Sequence, residues 1–239
     1  MLDAAFRDRA VYLPGPSALV VADLHVGRVE ASEVQLPLGE RADLTERLGG
    51  LVDRVAPETV VVAGDVLHSF GRVSHRAGET LADLTSLCRD AGARPILVAG
   101  NHDTMLSTAW NGEIHDTYAL DGGEAGDVVV CHGHEEPARE WRDVDPGLYV
   151  VGHDHPAITI EGQKRPCFLY GEEYYRGADL LMLPAFSRVA AGVSVNGMRA
   201  ADFQSPLVRD ADALRPVVWD ESREEALTFP PLGRFRRLL

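Results

Sequence analysis

Five apolar runs along this chain each lead into side chains that can hold a metal ion, and that repetition constrains the fold more than any other feature. Leu19 to Ala22 leads into Asp23-Leu24-His25, Val60 to Ala63 into Gly64-Asp65, and Ile96 to Ala99 into Gly100-Asn101-His102-Asp103. Val128 to Cys131 leads into His132, and Leu148 to Val151 into Gly152-His153-Asp154-His155. Short β-branched runs halted by Gly or Asp read as buried strands. In open α/β sheets ligand sites gather outside the carboxyl ends of strands, so five distant segments are expected to converge at one edge. Asp, Asn and His without Cys suit divalent ions such as Mn, Fe, Co or Zn better than a thiolate-held structural zinc.

Between the runs, strand and helix alternate in the first half. A helix is predicted over Gly39 to Val55, with Leu44, Leu48, Leu51, Val52 and Val55 at helical spacing, followed by a strand from Thr59 to Ala63. A second helix, Ala77 to Ala91, precedes the strand Ile96 to Ala99. This βαβαβ order predicts a parallel sheet with right-handed crossovers. From about Asp127 the texture changes to short strands, at Val128 to Cys131, Leu148 to Val151, Ala157 to Ile160, Cys167 to Tyr170 and Leu180 to Leu183. They are expected to form a second, mostly antiparallel sheet packed on the first. Ser69 to Gly78 and Thr104 to Gly123 read as loops that shape a cleft, with His75 and His115 exposed. From Ser205 the pattern is weaker, and Pro206, Pro216, Pro230 and Pro231 break any long helix. With no Pro/Gly/Ser-rich linker and ligands from both halves, residues 1–239 read as a single domain with a C-terminal extension from about residue 205.

Composition narrows the partners. The net charge is -14, with 22 Arg but a single Lys, Lys164. Such a surface opposes diffuse binding to nucleic acid, which needs a basic patch. No apolar stretch approaches the roughly 20 residues that span a bilayer, and Met1 to Ala10 lacks the apolar core of a signal peptide, so no membrane partner and a cytoplasmic location are expected. Cys88, Cys131 and Cys167 are odd in number and lack CxxC spacing, which argues against a disulfide framework. Oligomeric state is not legible.

On an extended segment Asp23 and His25, two residues apart, would point the same way and hold one ion together. Asp65, after a tight glycine, offers two oxygens that could bridge two ions. Asn101 adds a neutral oxygen, and His132, His153 and His155 add imidazoles. Seven ligands exceed a tetrahedral site but suit two ions roughly 3.5–4 Å apart. Two such ions with two carboxylates and a bridging hydroxide leave a local charge of about +1, which attracts an anionic phosphate ester despite the acidic exterior. Arg28 and Arg188 are candidate clamps on a phosphate oxygen, with surface salt bridges as the alternative.

The ordered series Asp23-Leu24-His25, Gly64-Asp65-Val66-Leu67-His68, Gly100-Asn101-His102-Asp103, His132 and Gly152-His153-Asp154-His155 resembles the calcineurin-like metallophosphoesterase superfamily over residues 18 to 160. Ala22 to Gly27, Asp65 to Ser69, His153 to Ala157 and Leu183-Pro184-Ala185-Phe186 are similar to archaeal Icc-like phosphoesterases and bacterial DNA ligase-associated metallophosphoesterases. The resemblance implies an α/β fold of four layers, a two-sheet β-sandwich flanked by helices. It also implies two divalent ions, Mn first, with Fe, Zn, Ni and Co as alternatives. Asp23, His25 and His155 would hold the first ion, Asn101, His132 and His153 the second, and Asp65 would bridge. His102 would be the general acid or phosphate-binding group, with Asp103 accepting its other ring N–H. His134 is an alternative to His132 as ligand, and His68 replaces the commoner Asp of its motif. A phosphate ester, by the subfamily resemblance a phosphodiester, is the expected substrate. A nucleic acid or nucleotide substrate is the second reading, and a non-catalytic scaffold of the same fold the third.

Overall fold

Among the described residues, side-chain alternation along two stacked sheets sorts the buried apolar side chains into three cores. The computed structural model describes residues 2–30, 39–68, 71–138 and 146–238. The first sheet runs β1 (Ala5–Arg7), β2 (Ala10–Leu13), β3 (Ala18–Val21), β4 (Thr59–Ala63), β5 (Arg94–Val98) and β6 (Ile114–His115). Its first three strands pair antiparallel and β3 to β6 pair parallel. Helices α1 (Glu40–Val55) and α2 (His75–Asp90) lie between the parallel strands in sequence, as the alternating pattern predicts.

The second sheet has the order β16 (Glu225–Thr228), β15 (Arg215–Asp220), β12 (Phe168–Tyr175), β13 (Ala178–Met182), β9 (Pro146–Val151), β8 (Asp127–Cys131), β7 (Thr117–Leu120). Its outer pairs are antiparallel, but β8, β9 and β13 at its centre are parallel. The expected mostly antiparallel sheet therefore has a parallel middle. The crossover from β9 to β13 is itself made of strands, so it lacks the helical period that marks a parallel pair. Ala157 to Ile160, assigned from sequence to this sheet, instead lies in β10 (Pro156–Ile160), which joins β11 (Gln163–Pro166) and β14 (Val193–Ser194) in a separate three-stranded sheet.

Strand β3 shows how the cores divide. Leu19 and Val21 pack with Leu44, Leu48, Leu81 and Leu84 of the helices, whereas Ala18 and Val20 face the space between the sheets. There they meet Val128, Val130, Leu148, Val150 and Leu181 of the second sheet. The alternate residues Val129, Tyr149 and Val151 turn outward into a third core with Ile158, Val195, Phe203, Leu207, Leu214 and Phe235. The helical cover thus lies on the first sheet. The outer layer over the second is the small sheet, irregular chain and the single turn α4 (Leu232–Phe235).

Three sequence expectations change here. Ser74 caps α2 by accepting from the Ala77 N–H at 3.0 Å, so the helix starts at His75 inside the segment read as a loop; Ser69 and Phe70 lie outside the described residues. Thr104 to Gly123 holds a short helix, α3 (Leu106–Ala109), and strands β6 and β7. His75 is exposed, but His115 sits in β6 with its side chain about 19 % exposed. The N-terminal strands and β15–β16 gave no clear signal; in β15, Pro216 accepts from the Phe229 N–H, a role that needs no N–H of its own.

Candidate metal centre

All seven candidate ligands meet where β3, β4, β5, β8 and β9 end, and the local backbone explains how. Asp23, His25, Asp65, His153 and His155 have φ of 56°, 47°, 47°, 76° and 46°. Left-handed backbone is uncommon for residues other than glycine and persists where surrounding contacts over-determine it. Those contacts are present. Asp23 donates its N–H to Gly64 O at 3.1 Å, His25 to Asp65 O at 2.9 Å, and His153 to Asp23 Oδ2 at 3.1 Å. The sequence expectation that Asp23 and His25 share a face of an extended segment is therefore replaced: both are turned inward by left-handed residues.

Asp23, His25, Asp65 and His155 each offer a ligand atom within 4.8 Å of the others, and the first three are buried. His25 Nε2 lies 3.1 Å from His155 Nε2 and 3.8 Å from Asp65 Oδ2, and His155 Nε2 is 3.3 Å from Asp23 Oδ1. A second group adjoins it. His132 Nε2 is 3.1 Å from Asn101 Oδ1, 3.2 Å from His153 Nδ1 and 3.4 Å from Asp65 Oδ1. Asp65 thus turns one oxygen to each group.

The donor chemistry fits cations. His132 Nδ1 lies 3.2 Å from Ala63 O, and since a carbonyl oxygen can only accept, the ring proton sits on Nδ1. That leaves the Nε2 lone pair facing two oxygens, the second-sphere arrangement by which a backbone carbonyl orients a metal-binding imidazole. Two nitrogens about 2.1 Å from one ion would be roughly 3.0–3.4 Å apart, the spacing seen in both histidine pairs. Glycines make the room: a Cβ on Gly64, φ 82°, would overlap the His132 ring, and one on Gly100 would overlap the carboxylate and amide of Asp65.

Burial and the neighbouring Asp23 charge push the metal-free Asp65 carboxyl up to about 7. Burial pulls His25 down to about 3 and, reinforced by the neighbouring His132 ring, His153 to about 4, so both rings are neutral and able to ligate. Burial opposes charge on His155 as well, but the hydrogen bond with Asp23 and the charges of Asp23 and Asp65 outweigh it and raise its pKa.

His102 stands beside this centre, with Nε2 3.9 Å from Asp65 Oδ2 and its N–H donated to Asp65 Oδ1 at 3.0 Å. Asp103 has a different task from the one expected. Its carboxylate accepts the N–H groups of Val66 (3.1 Å), Leu67 (2.8 Å) and Gly100 (2.8 Å), which ties the loops after β4 and β5 together instead of receiving a ring N–H of His102. His134 packs its ring 5.2 Å from that of His132, outside the ligand atoms, and Arg28 is near enough for its charge to depress His25, His68 and His102. Arg188 is not a phosphate clamp here, because it pairs with Asp43 at 3.2 Å and Glu221 at 3.8 Å.

Three residues whose part the sequence did not show, Asp154, Arg9 and Arg47, support the centre, together with the Leu183–Phe186 segment. Asp154, between two ligands, accepts the N–H groups of Gln204 and Ser205 at 2.8 and 3.0 Å, a role an Asp spacer does not advertise. The Leu183–Phe186 segment straps the sheets, with Leu183 N–H on Val151 O and Phe186 N–H on Ala22 O. Arg9 donates to Ala185 O and Ser187 O, and Arg47 to Phe186 O, with its guanidinium 4.1 Å from the Phe186 ring centroid.

A sequence profile described as calcineurin-like phosphoesterase matches residues 17–191. No curated protein matches the chain. Among solved structures, the Pseudomonas putida nuclease MPE is similar at 23% identity over 93% of this chain and 92% of that one, with a TM-score of 0.60, a likeness of fold. The E. coli phosphoesterase Yfce aligns at 15% identity over 90% of this chain and 98% of that one, with a TM-score of 0.47.

Proposed function

Since the chain belongs to the calcineurin-like phosphoesterase family and is therefore a hydrolase of phosphoric esters, we propose that it works with two divalent ions, Mn first among them, and prefers phosphodiesters. The observation that carries this reading is Asp65, whose two oxygens face two separate groups of candidate ligands. Asp23, His25 and His155 would hold one ion, Asn101, His132 and His153 the other, with Asp65 shared. When bound, the ions would supply an activated water and offset the charge that gathers on the phosphoryl oxygens.

The chain's own residues do the rest. The charge of Arg28 reaches the rings of His68 and His102 beside the centre, where an anionic ester would lie. His102 is the proposed general acid. Burial and the Arg28 charge lower its pKa, so a ring that takes a proton from solvent beside the anionic ester gives it up readily to a leaving oxygen. Asp103 serves this step indirectly, by fixing the loop that carries His102.

A nuclease reading has one observation in its favour, the fold shared with the Pseudomonas putida nuclease. The net charge of -14 opposes it. One experiment separates the readings: metal-stripped protein is reloaded with Mn, its metal content is counted, and it is assayed against monoesters, small diesters, cyclic nucleotides, and single- and double-stranded DNA. Two ions per chain with fastest turnover of small diesters is expected. One ion per chain overturns the paired-ion reading, and a clear preference for DNA favours the nuclease.

A further inference from the structure

His68 lies outside the ligand set, yet its ring is built into the same wall. It stacks on the His102 ring with centroids 5.5 Å apart and planes 17° from parallel. The His25 ring stands on edge to both, 5.4 Å from each and at 85° and 87°. Such geometries are the favoured ones for aromatic pairs. Among the described residues His68 Nδ1 has no hydrogen-bond partner, so the described contacts of this ring are made by its face and edges.

The backbones beneath the two rings are fixed to each other. Leu67, next to His68, bridges to Val26, and the His68 N–H donates to Val26 O at 3.0 Å. Asp103, next to His102, accepts the N–H groups of Val66 and Leu67. One carboxylate therefore sets the spacing between the chain segments that carry the stacked rings.

We infer that His68 is a positioning residue that holds the His102 ring by face stacking in the orientation from which it serves the ester. The inference rests on the reading of His102 as general acid. It predicts that the flat ring of His68 matters and its nitrogens do not. A misplaced acid is felt most by a leaving group that needs a proton, so an alkyl diester suffers and an activated aryl diester, which departs as a stable phenolate, is spared.

The test compares His68→Ala, His68→Phe and His102→Ala, and the double variant of His68→Ala with His102→Ala, on an alkyl and an aryl diester. His68→Ala is expected to slow the alkyl ester roughly tenfold more than the aryl ester, with His68→Phe restoring most of the loss. Added to His102→Ala, His68→Ala should cost nothing further on the alkyl ester. A readout independent of turnover comes from proton NMR of the metal-free protein. The His102 Cε1–H signal, identified by its loss in His102→Ala, should be shifted by the neighbouring ring in wild type and His68→Phe but not in His68→Ala. Losses that multiply in the double variant, a His68→Phe as slow as His68→Ala, or an unshifted signal in wild type would overturn the inference. If His102→Ala slows both esters alike, the acid reading fails, and the NMR signal alone then decides whether the stack exists.

Discussion

The two ligand groups are built by different means. Asp23, His25 and His155 are all held in left-handed backbone, whereas Asn101 and His132 are not, and His153 is the exception in its group. The second group depends on close packing: the His132 ring lies against Gly64, donates to Ala63 O, and has none of its side chain exposed. One group is shaped by strained main chain and the other by space left for a ring. The difference implies that they should fail differently.

Asp65→Ala breaks both at once and should have the largest effect. Metal content is expected to fall at both positions and turnover to vanish while circular dichroism reports a retained fold; two tightly held ions per chain would rule the shared-ligand assignment out. Gly64→Ala should separate the groups. A methyl at φ 82° is strained and overlaps the His132 ring, so one ion of two is expected to be lost, with turnover reduced on the order of 10²-fold. Equal loss of both ions would show that the groups are not separable.

Acidity offers a finer probe. In the metal-free protein Asp65 is raised from 3.8 to about 7, so between those values the folded chain keeps a proton that the unfolded chain has released. Stability due to this group therefore falls as pH rises through that window. Asp65→Asn lacks the group, and its metal-free form should gain on wild type by up to about 4 kcal/mol between pH 4 and pH 7. Urea denaturation at both pH values measures the gap, and a constant gap would contradict the raised carboxyl.

The smallest effect tests the strain directly. At His25, φ 47°, replacement by Gly should leave the metal-free protein about 1 kcal/mol more stable than replacement by Ala, because Gly adopts left-handed backbone freely. At His132 the order should reverse. Identical orders at the two positions would erase the distinction between the groups.

Much of this centre was legible because each strand announces its end. Val60 to Ala63 followed by Gly64-Asp65 contains the strand, its stop and the ligand in six residues, and the match over residues 17–191 covers every such run. What sequence did not show is what single residues do with their backbones. Nothing in Asp23-Leu24-His25 distinguishes an extended from a left-handed pair, since Asp tolerates both and the constraint comes from Gly64 and Asp65, some 40 residues on. Asp103 follows a histidine and so suggested a side-chain relay, whereas two amides of the loop after β4 and one of its own turn claim its carboxylate. The strands Ala5–Arg7 and Ala10–Leu13 are too short to show a period, and Pro216 disguised β15.

The strap at Leu183–Phe186 has a kinetic consequence. Asp23, His25, Asp65 and Asn101 follow strands of the first sheet, while His132, His153 and His155 follow strands of the second, and the strap fastens one to the other through Val151 and Ala22. Neither sheet alone supplies all the ligands proposed for either ion. In a refolding experiment, uptake of Mn would therefore mark the moment at which the sheets dock, a late event in a chain whose defining contacts join residues more than a hundred positions apart. Weakening Arg9 or Arg47 should delay that moment while leaving the earlier gain of secondary structure unchanged, so the metal would act as a clock for assembly.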